Sequence, residues 1–501
     1  LADQVLKEYN IESDGISLAV KVLYKQGDFV RTYALGLPEF GQGTKALIEN
    51  LKRMIILDPS IKAEKMLDPK AVESLRVDFR EKAQAILKRE LPHLDEGTKG
   101  PLLMVLLTDM LGIGKLDILL CDGDLEEIVV NDAKDPAWVY HKEFGWLKTN
   151  VFFDGEDQIQ NYANIIARRG GKQITTLNPL LDTHLISGDR ANATLFPISG
   201  KGNTITIRRF RRDPWTVTDF INNKTATSEV MALVWLAMQY ELNMILSGGT
   251  ASGKTSFLNV CLPFIQPNHR IISIEDTREL IMPDFLHWVP MTTREPNPEG
   301  KGGVNMLDLL VNSLRQRPDR IIVGETRRRN EAEVMFEAMH TGHSVYTTFH
   351  ANTADETIRR LINPPMDIPE SQLEAVHLNV VMFRNRRLGV RRILEVAEFV
   401  PEKRGSAETL KANTLYRWRQ AEDKIAKYSE SIRLMDEFAL HTGLTYGEIN
   451  KDLAEKKGVL DWLVKNNVHS IDEVGKVMAK YYLDKNAVLA AVQKNRKAIE
   501  I

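Results

Sequence analysis

The stretch Met244-Ile245-Leu246-Ser247-Gly248-Gly249-Thr250-Ala251-Ser252-Gly253-Lys254-Thr255-Ser256-Phe257-Leu258 decides how this chain is read. Three aliphatic residues lead into a turn of the form G-x-x-x-x-G-K-[ST], and an amphipathic run follows. Such a turn needs glycine because the backbone has to wrap an anion with successive N–H groups pointing inward. A helix expected from Lys254 onward adds the partial positive charge of its N-terminus. Gly248, Gly249, Thr250, Ala251, Ser252, Gly253, Lys254, Thr255 and Ser256 are therefore the candidate nucleotide cradle. Lys254 would reach the outer phosphates and the Thr255 hydroxyl would ligate Mg²⁺. The bland alternative is a glycine-rich turn with a stray lysine, and the flanking strand and helix argue against it.

Working outward, short aliphatic strands alternate with amphipathic helices across 228–401, the signature of an α/β domain on a parallel sheet. Strands are expected over 243–247, 270–274, 320–324 and 344–348, and a helix over 305–316, with Met306, Leu309, Leu310 and Leu314 on one face. A loop is expected over 294–303, which holds two Pro and three Gly. Upstream, 115–212 reads as a smaller α+β domain with strands near 127–130, 137–141, 191–196 and 204–210. Residues 1–114 read as a helical, charged segment, and Asp213-Pro214-Trp215 as a junction. Beyond Pro401 a polar linker over 402–407 leads to a helical extension, 402–501, with helices over 421–442, 446–457, 458–466 and 471–483.

Composition narrows the function. The 501 residues carry 66 Lys+Arg against 68 Asp+Glu, a net charge of −2, which lacks the basic footprint of a dedicated nucleic-acid binder. With 43% hydrophobic and 27% charged residues the chain is neither disordered nor membrane-spanning, since no window approaches ~18 uninterrupted apolar residues. Two cysteines, Cys121 and Cys261, make neither a disulfide framework nor a four-cysteine zinc module. Asp3, Lys7 and Glu8 interrupt any signal-peptide core, so a cytoplasmic location is expected.

Acidic residues recur at predicted strand ends. Glu275 and Glu279 follow the strand over 270–274, where they would order water or a metal-bound water, or merely cap a turn. The strand over 320–324 leads to Glu325, with Gly324 where a metal-binding Asp usually stands, so Glu325 would polarise water rather than ligate Mg²⁺ directly. His343 and His350 flank the strand over 344–348. They read equally as ordinary strand-end residues or as sensors of phosphate charge, and their spacing argues against a shared metal. Arg190, Arg208 and Arg209 belong to a basic group in the preceding domain, either a solvated face or fingers that reach a triphosphate.

These motifs, in this order, resemble the secretion and pilus-assembly ATPase superfamily of type II secretion, type IV pili and archaeal surface filaments. The resemblance covers roughly 115–401: the Walker A at 248–255, an aspartate box at 274–280, an atypical Walker B at 314–325 containing Arg317-Pro318-Asp319-Arg320-Ile321-Ile322-Val323-Gly324-Glu325, and a histidine box at 341–351. Ser187-Gly188-Asp189-Arg190 and Ile205-Thr206-Ile207-Arg208-Arg209-Phe210 are similar to the family's arginine-bearing turn and strand. The missing zinc module and the long tail look more like the archaeal branch. The resemblance implies a RecA-like P-loop domain, ATP and Mg²⁺ as ligands, and a homohexameric ring acting on an inner-membrane platform protein, with no nucleic acid. It makes Glu325 the catalytic glutamate, Glu275 and Glu279 aspartate-box acids, His343 and His350 conformational sensors, and Arg190, Arg208 and, as a third, Arg209 arginine fingers. The runner-up readings are a nucleic-acid translocase of RecA type and a swimming-filament motor.

Overall fold

Alternating burial starts at once. In the computed structural model, which describes residues 4–25, 27–38, 40–56, 72–92, 96–185, 187–209, 214–296, 300–404 and 407–495, β1 (Gln4–Ser13) and β2 (Ile16–Tyr24) form a hairpin. Asp14 and Gly15 turn it at φ of 51° and 80°, the left-handed pair that suits a tight hairpin. Leu18, Val20 and Val22 face the core. After β3 (Thr32–Leu35), helices α1 (Gln42–Ile56), α2 (Val72–Glu90) and α3 (Glu96–Leu111) pack together through Leu51, Phe79, Leu87 and Leu106. Then follow α4 (Lys115–Leu120), β4 (Leu125–Val130), β5 (Trp138–His141), β6 (Gly145–Thr149), α5 (Glu156–Arg169), β7 (Leu180–His184), β8 (Arg190–Thr194) and β9 (Thr204–Arg208).

One nine-stranded sheet, β1-β2-β3-β6-β5-β4-β9-β8-β7, runs through this whole unit, Leu1–Arg211. The segment 1–114, expected to be helical, thus adds three strands to the sheet of 115–212 through the parallel pairing of Thr32 with Lys148. Its hairpin escaped notice because exposed Glu8, Asn10 and Glu12 alternate with Tyr9 and Ile11, a half-buried strand with a charged face. Phe210 of the strand expected over 204–210, Arg211 and Arg212 at the end of the 115–212 domain, and Asp213 of the expected junction lie outside the described residues.

The second unit, Arg212–Ile501, begins with α6 (Val217–Asn222) and α7 (Ser228–Gln239). Next come β10 (Met244–Gly248), α8 (Lys254–Cys261), β11 (Ile271–Glu275), β12 (Trp288–Thr292), α9 (Met306–Ser313), β13 (Arg320–Val323), α10 (Arg329–His340), β14 (Ser344–Phe349) and α11 (Ala354–Ile362). The chain continues with β15 (Leu378–Asn385), β16 (Val390–Arg404), β17 (Ala407–Arg419), β18 (Lys424–Lys427), α12 (Leu434–Thr442), α13 (Tyr446–Lys465), α14 (Ile471–Leu483) and α15 (Lys485–Gln493).

Its sheet order is β12-β11-β13-β14-β10-β15-β16-β17-β18, parallel from β12 to β15 and antiparallel beyond. Every residue of β10, β11, β13 and β14 is buried, so these strands lack the alternation of a half-exposed strand. Because they are parallel, their C-terminal ends share one edge of the sheet, where such folds bind ligands.

Two expectations for the tail change. The boundary at 401/402 falls inside β16, and the polar stretch over 402–407 is the far end of the β16–β17 ladder, with residues 405 and 406 outside the described set. A helix from 421 is replaced by a short 3₁₀ turn and β18. The two helices expected over 446–466 are one, α13, which continues through Gly458 because Val459, Leu460 and Leu463 sit in the core next to it. No helix among the described residues is long and apolar enough to cross a membrane.

Candidate nucleotide site

The glycine-rich turn joins β10 to α8 in the predicted strand–turn–helix context. Gly248 takes φ 152°, and a Cβ there would stand 2.5 Å from both the Met382 carbonyl oxygen and Ser252 Oγ, so only glycine fits. Gly253, at φ 99°, caps α8. Lys254 Nζ donates to the Gly248 and Gly249 carbonyls at 2.9 and 3.1 Å, holding the ammonium at the mouth of the turn. Burial lowers its pKa, while the nearby Glu325 charge opposes the drop. Ser252 Oγ is buried without a hydrogen-bond partner, an orphan that a phosphate oxygen would satisfy.

The acids stand on adjacent strand ends. Glu275 closes β11; its Oε1 accepts the Glu279 and Leu280 amides at 2.8 and 3.0 Å, and its Oε2 is buried without a partner. Gly324 is glycine for a local reason: a Cβ would lie 3.3 Å from Glu275 Cγ, tight enough to push that carboxylate aside. Glu325 follows directly. Arg327 grips its Oε2 with Nε at 2.8 Å and Nη2 at 2.5 Å, and reaches Asp276 Oδ2 with Nη1 at 2.7 Å. His350, just past β14, brings Nε2 to 2.8 Å from Glu325 Oε1 without hydrogen-bond alignment. Burial, and then the Lys254 charge, hold the His350 pKa below its ordinary value. The lowered value favours the neutral form of the ring. A cavity of about 470 Å³ opens beside these residues, lined also by Arg359 and Arg360.

Glu275, Glu325, His350 and Lys254 are thus gathered at one edge. Glu279 is exposed, and its backbone amide, not its carboxylate, serves the site by bonding Glu275. His343 precedes β14, a six-residue strand, so it lies at the other edge of the sheet, roughly 20 Å from His350. In the first unit Arg190 and Arg208 are direct partners across β8 and β9 and leave the same face. Arg190 is forked on Asp182 at 3.0 and 2.5 Å. Arg209 is committed elsewhere, donating to the Asp122 carbonyl within its own unit. Sequence reasoning missed Arg327 and Asp276; the available signal was an arginine two residues beyond the strand-end glutamate.

Residues 189–418 match the family described as type II/IV secretion system protein. A putative conjugal transfer protein of Mycobacterium tuberculosis is 30% identical over 308 residues, which cover 59% of this chain and 86% of that one. The chain belongs to the type II/IV secretion system protein family. An uncharacterised protein of Methanocaldococcus jannaschii is 39% identical to this chain over 301 residues, 59% of its length. The match spans only about half, 54%, of that relative's own length. Among solved structures, the VirB11 ATPase from the Brucella suis type IV secretion system aligns at 23% identity over 56% of this chain and 92% of that one, with a TM-score of 0.29. The glycine-rich turn, Glu275, Glu325 and both histidines all fall inside the segment that matches the family.

Proposed function

We propose that this chain hydrolyses ATP to ADP and phosphate as part of a hexameric ring, and that the resulting domain motions power protein secretion or the assembly of a pilus-like surface filament. The observation that carries the reading is Glu325: a strand-end carboxylate within electrostatic reach of Lys254 and fixed by Arg327. In this reading the turn at 248–256 wraps the phosphates and Lys254 leaves the loop carbonyls for their outer oxygens. Glu325 orients the attacking water and accepts its proton, while Arg327 keeps the carboxylate aimed. Neutral His350 reports the change in charge beside it.

Among the described residues no group of three or more His, Cys, Asp or Glu forms a metal nest. The Thr255 hydroxyl, in the first turn of α8 beside Lys254, is an oxygen donor of the kind Mg²⁺ takes, and phosphate oxygens and water would complete its shell. When bound, the ion would neutralise charge on the phosphates. Arg190 and Arg208, side by side on one face, are the finger candidates that would stabilise charge building at the γ-phosphate, with Arg209 in a structural role. The ring would act at the cytoplasmic face of a membrane, pushing on a platform protein.

The test is steady-state ATPase activity with oligomer mass, on wild type, Lys254→Ala and Glu325→Gln, with and without DNA. Turnover should fall about 10²–10⁴-fold in Glu325→Gln with nucleotide binding retained, whereas Lys254→Ala should lose both. Activity should rise as hexamers form. Strong stimulation by DNA would sink the secretion reading in favour of a translocase.

A further inference from the structure

The turn between β15 and β16 carries five arginines in nine residues, 384–392, and no acid. It stands on the flank of β10 opposite β14 and β13, because β10 lies between β14 and β15 in the sheet. Arg391 reaches the phosphate turn itself: its Nε donates to the Ala251 carbonyl at 3.2 Å, and its Cδ lies 3.4 Å from where a Gly253 Cβ would stand.

The placement is built rather than incidental. Asn385 Oδ1 accepts the Arg387 and Leu388 amides at 3.0 and 3.1 Å, Gly389 takes φ 68°, and Arg391 pairs with Arg384 across the ladder. The next residue, Arg392, is buried and forks onto Asp423 at 2.7 and 2.9 Å while donating to the Arg391 carbonyl at 2.8 Å. The backbone of Arg391 is therefore pinned from the tail side, and its guanidinium is held against the rim of the turn.

The nucleotide has a direction here. Glu325 and His350 lie toward β13 and β14, so in the ATPase reading the γ-phosphate would point that way and the other end of the molecule would extend toward β15 and β16. We propose that Arg391 binds the α-phosphate and ribose end of the nucleotide, making the arginine-rich turn the second wall of the site. This rests on the ATPase reading above. A guanidinium there supplies a charge-assisted bond that is the same for ATP and ADP, and its neighbours add a positive field that draws the anion in.

Equilibrium binding of ADP and of a non-hydrolysable ATP analogue to the full chain, with ATPase kinetics alongside, tests this. Arg391→Ala should raise both dissociation constants about tenfold, the loss expected of one charged hydrogen bond. In ATPase kinetics the KM for ATP should rise with the dissociation constants, because the contact is made in the ground state as well as in the transition state. Arg386→Ala removes a charge from the same turn and should change affinity far less. Unchanged ADP affinity in Arg391→Ala, a loss confined to the ATP analogue, or an equal loss in Arg386→Ala would each overturn the assignment. If wild type binds neither nucleotide, the ATPase reading itself fails; if wild type binds and Arg391→Ala binds as well, only the role of Arg391 falls.

Discussion

Glu275 shows how one carboxylate is set by its surroundings. Burial pushes its pKa up to about 7, against the two amide bonds that lower it. The folded-state value lies above the ordinary 4.5, so the folded chain holds a proton that the unfolded chain has lost between those two limits. The contribution to stability is complete below about pH 4.5 and is lost as pH rises through about 7. Glu275→Gln, which keeps the acceptor for both amides, should flatten that part of the stability profile. It should stabilise the nucleotide-free chain at pH 8 by at most ~3 kcal/mol, read from urea unfolding across pH. An unchanged pH slope would show that Glu275 is ionised at neutral pH. Such an environment was not legible in the sequence, where Glu275 and Glu279 looked alike; burial separates them. Arg320 makes the same point in reverse. It stands inside the most distinctive string of the sequence, yet it is fully buried at the far end of β13, donating to His269 Nδ1 at 3.1 Å, Ser344 Oγ at 2.8 Å and Tyr346 OH at 3.0 Å. Its role is to hold three strand starts together rather than to touch nucleotide.

At the scale of elements, the tail is joined to the sheet by a carboxylate that no local pattern announces. Glu398 on β16 is fully buried and accepts the Ile432 and Leu434 amides, each at 2.6 Å, Ser431 Oγ at 2.9 Å and Asn413 Nδ2 at 2.7 Å. The N-cap residue of α12, Arg433, makes no side-chain capping bond; Ser431 Oγ accepts the Met435 amide at 3.1 Å, and Glu398 takes the other amides from across the fold. Glu398→Ala would orphan those donors and should destabilise the chain by ~3 kcal/mol or more. Amide exchange at Ile432 and Leu434 should accelerate more than at the strands of the parallel sheet; uniform acceleration would mean that the cap is not local. Strands β10, β11 and β13 were legible because burial on both faces leaves the runs Met244-Ile245-Leu246, Ile271-Ile272 and Ile321-Ile322-Val323. The β16–β17 ladder was not, since its outer end is polar and its partners are supplied by tertiary contacts. Gly458 misled for a related reason: a glycine costs a helix interior about 1 kcal/mol, which packing of the neighbouring Val459 and Leu460 offsets.

Over the whole second unit, one apolar cluster runs without a break from Val217 in α6, through Trp235 in α7 and Leu258 in α8, to Leu460 in α13 and Val488 in α15. The tail is therefore core to the second unit and not an appendage to it. Its deepest polar feature lies at that seam. Lys456 on α13 is fully buried, with Nζ 2.7 Å from Asp452 Oδ2 and 5.2 and 5.1 Å from the ring centres of Trp235 and Tyr481. Burial lowers its pKa to about 8, with Asp452 opposing the shift, so the ammonium stays charged at neutral pH. Lys485 gives Asp452 a second bond at 2.7 Å and also reaches Glu455 at 2.6 Å. Asp452→Asn would leave the buried Lys456 charge without its counter-ion, and loss of one partner of such a pair costs about 3–5 kcal/mol. The thermal transition of the full chain should fall accordingly. The double variant Asp452→Asn with Lys456→Met removes both charges, leaves Lys485 its bond to Glu455, and should recover most of the loss. If the double variant is as unstable as Asp452→Asn alone, the seam depends on packing by the Lys456 stem and not on pairing. Recovery would instead show that the polar cluster sets how the tail helices seat on α7, while apolar burial supplies the stability of the joint.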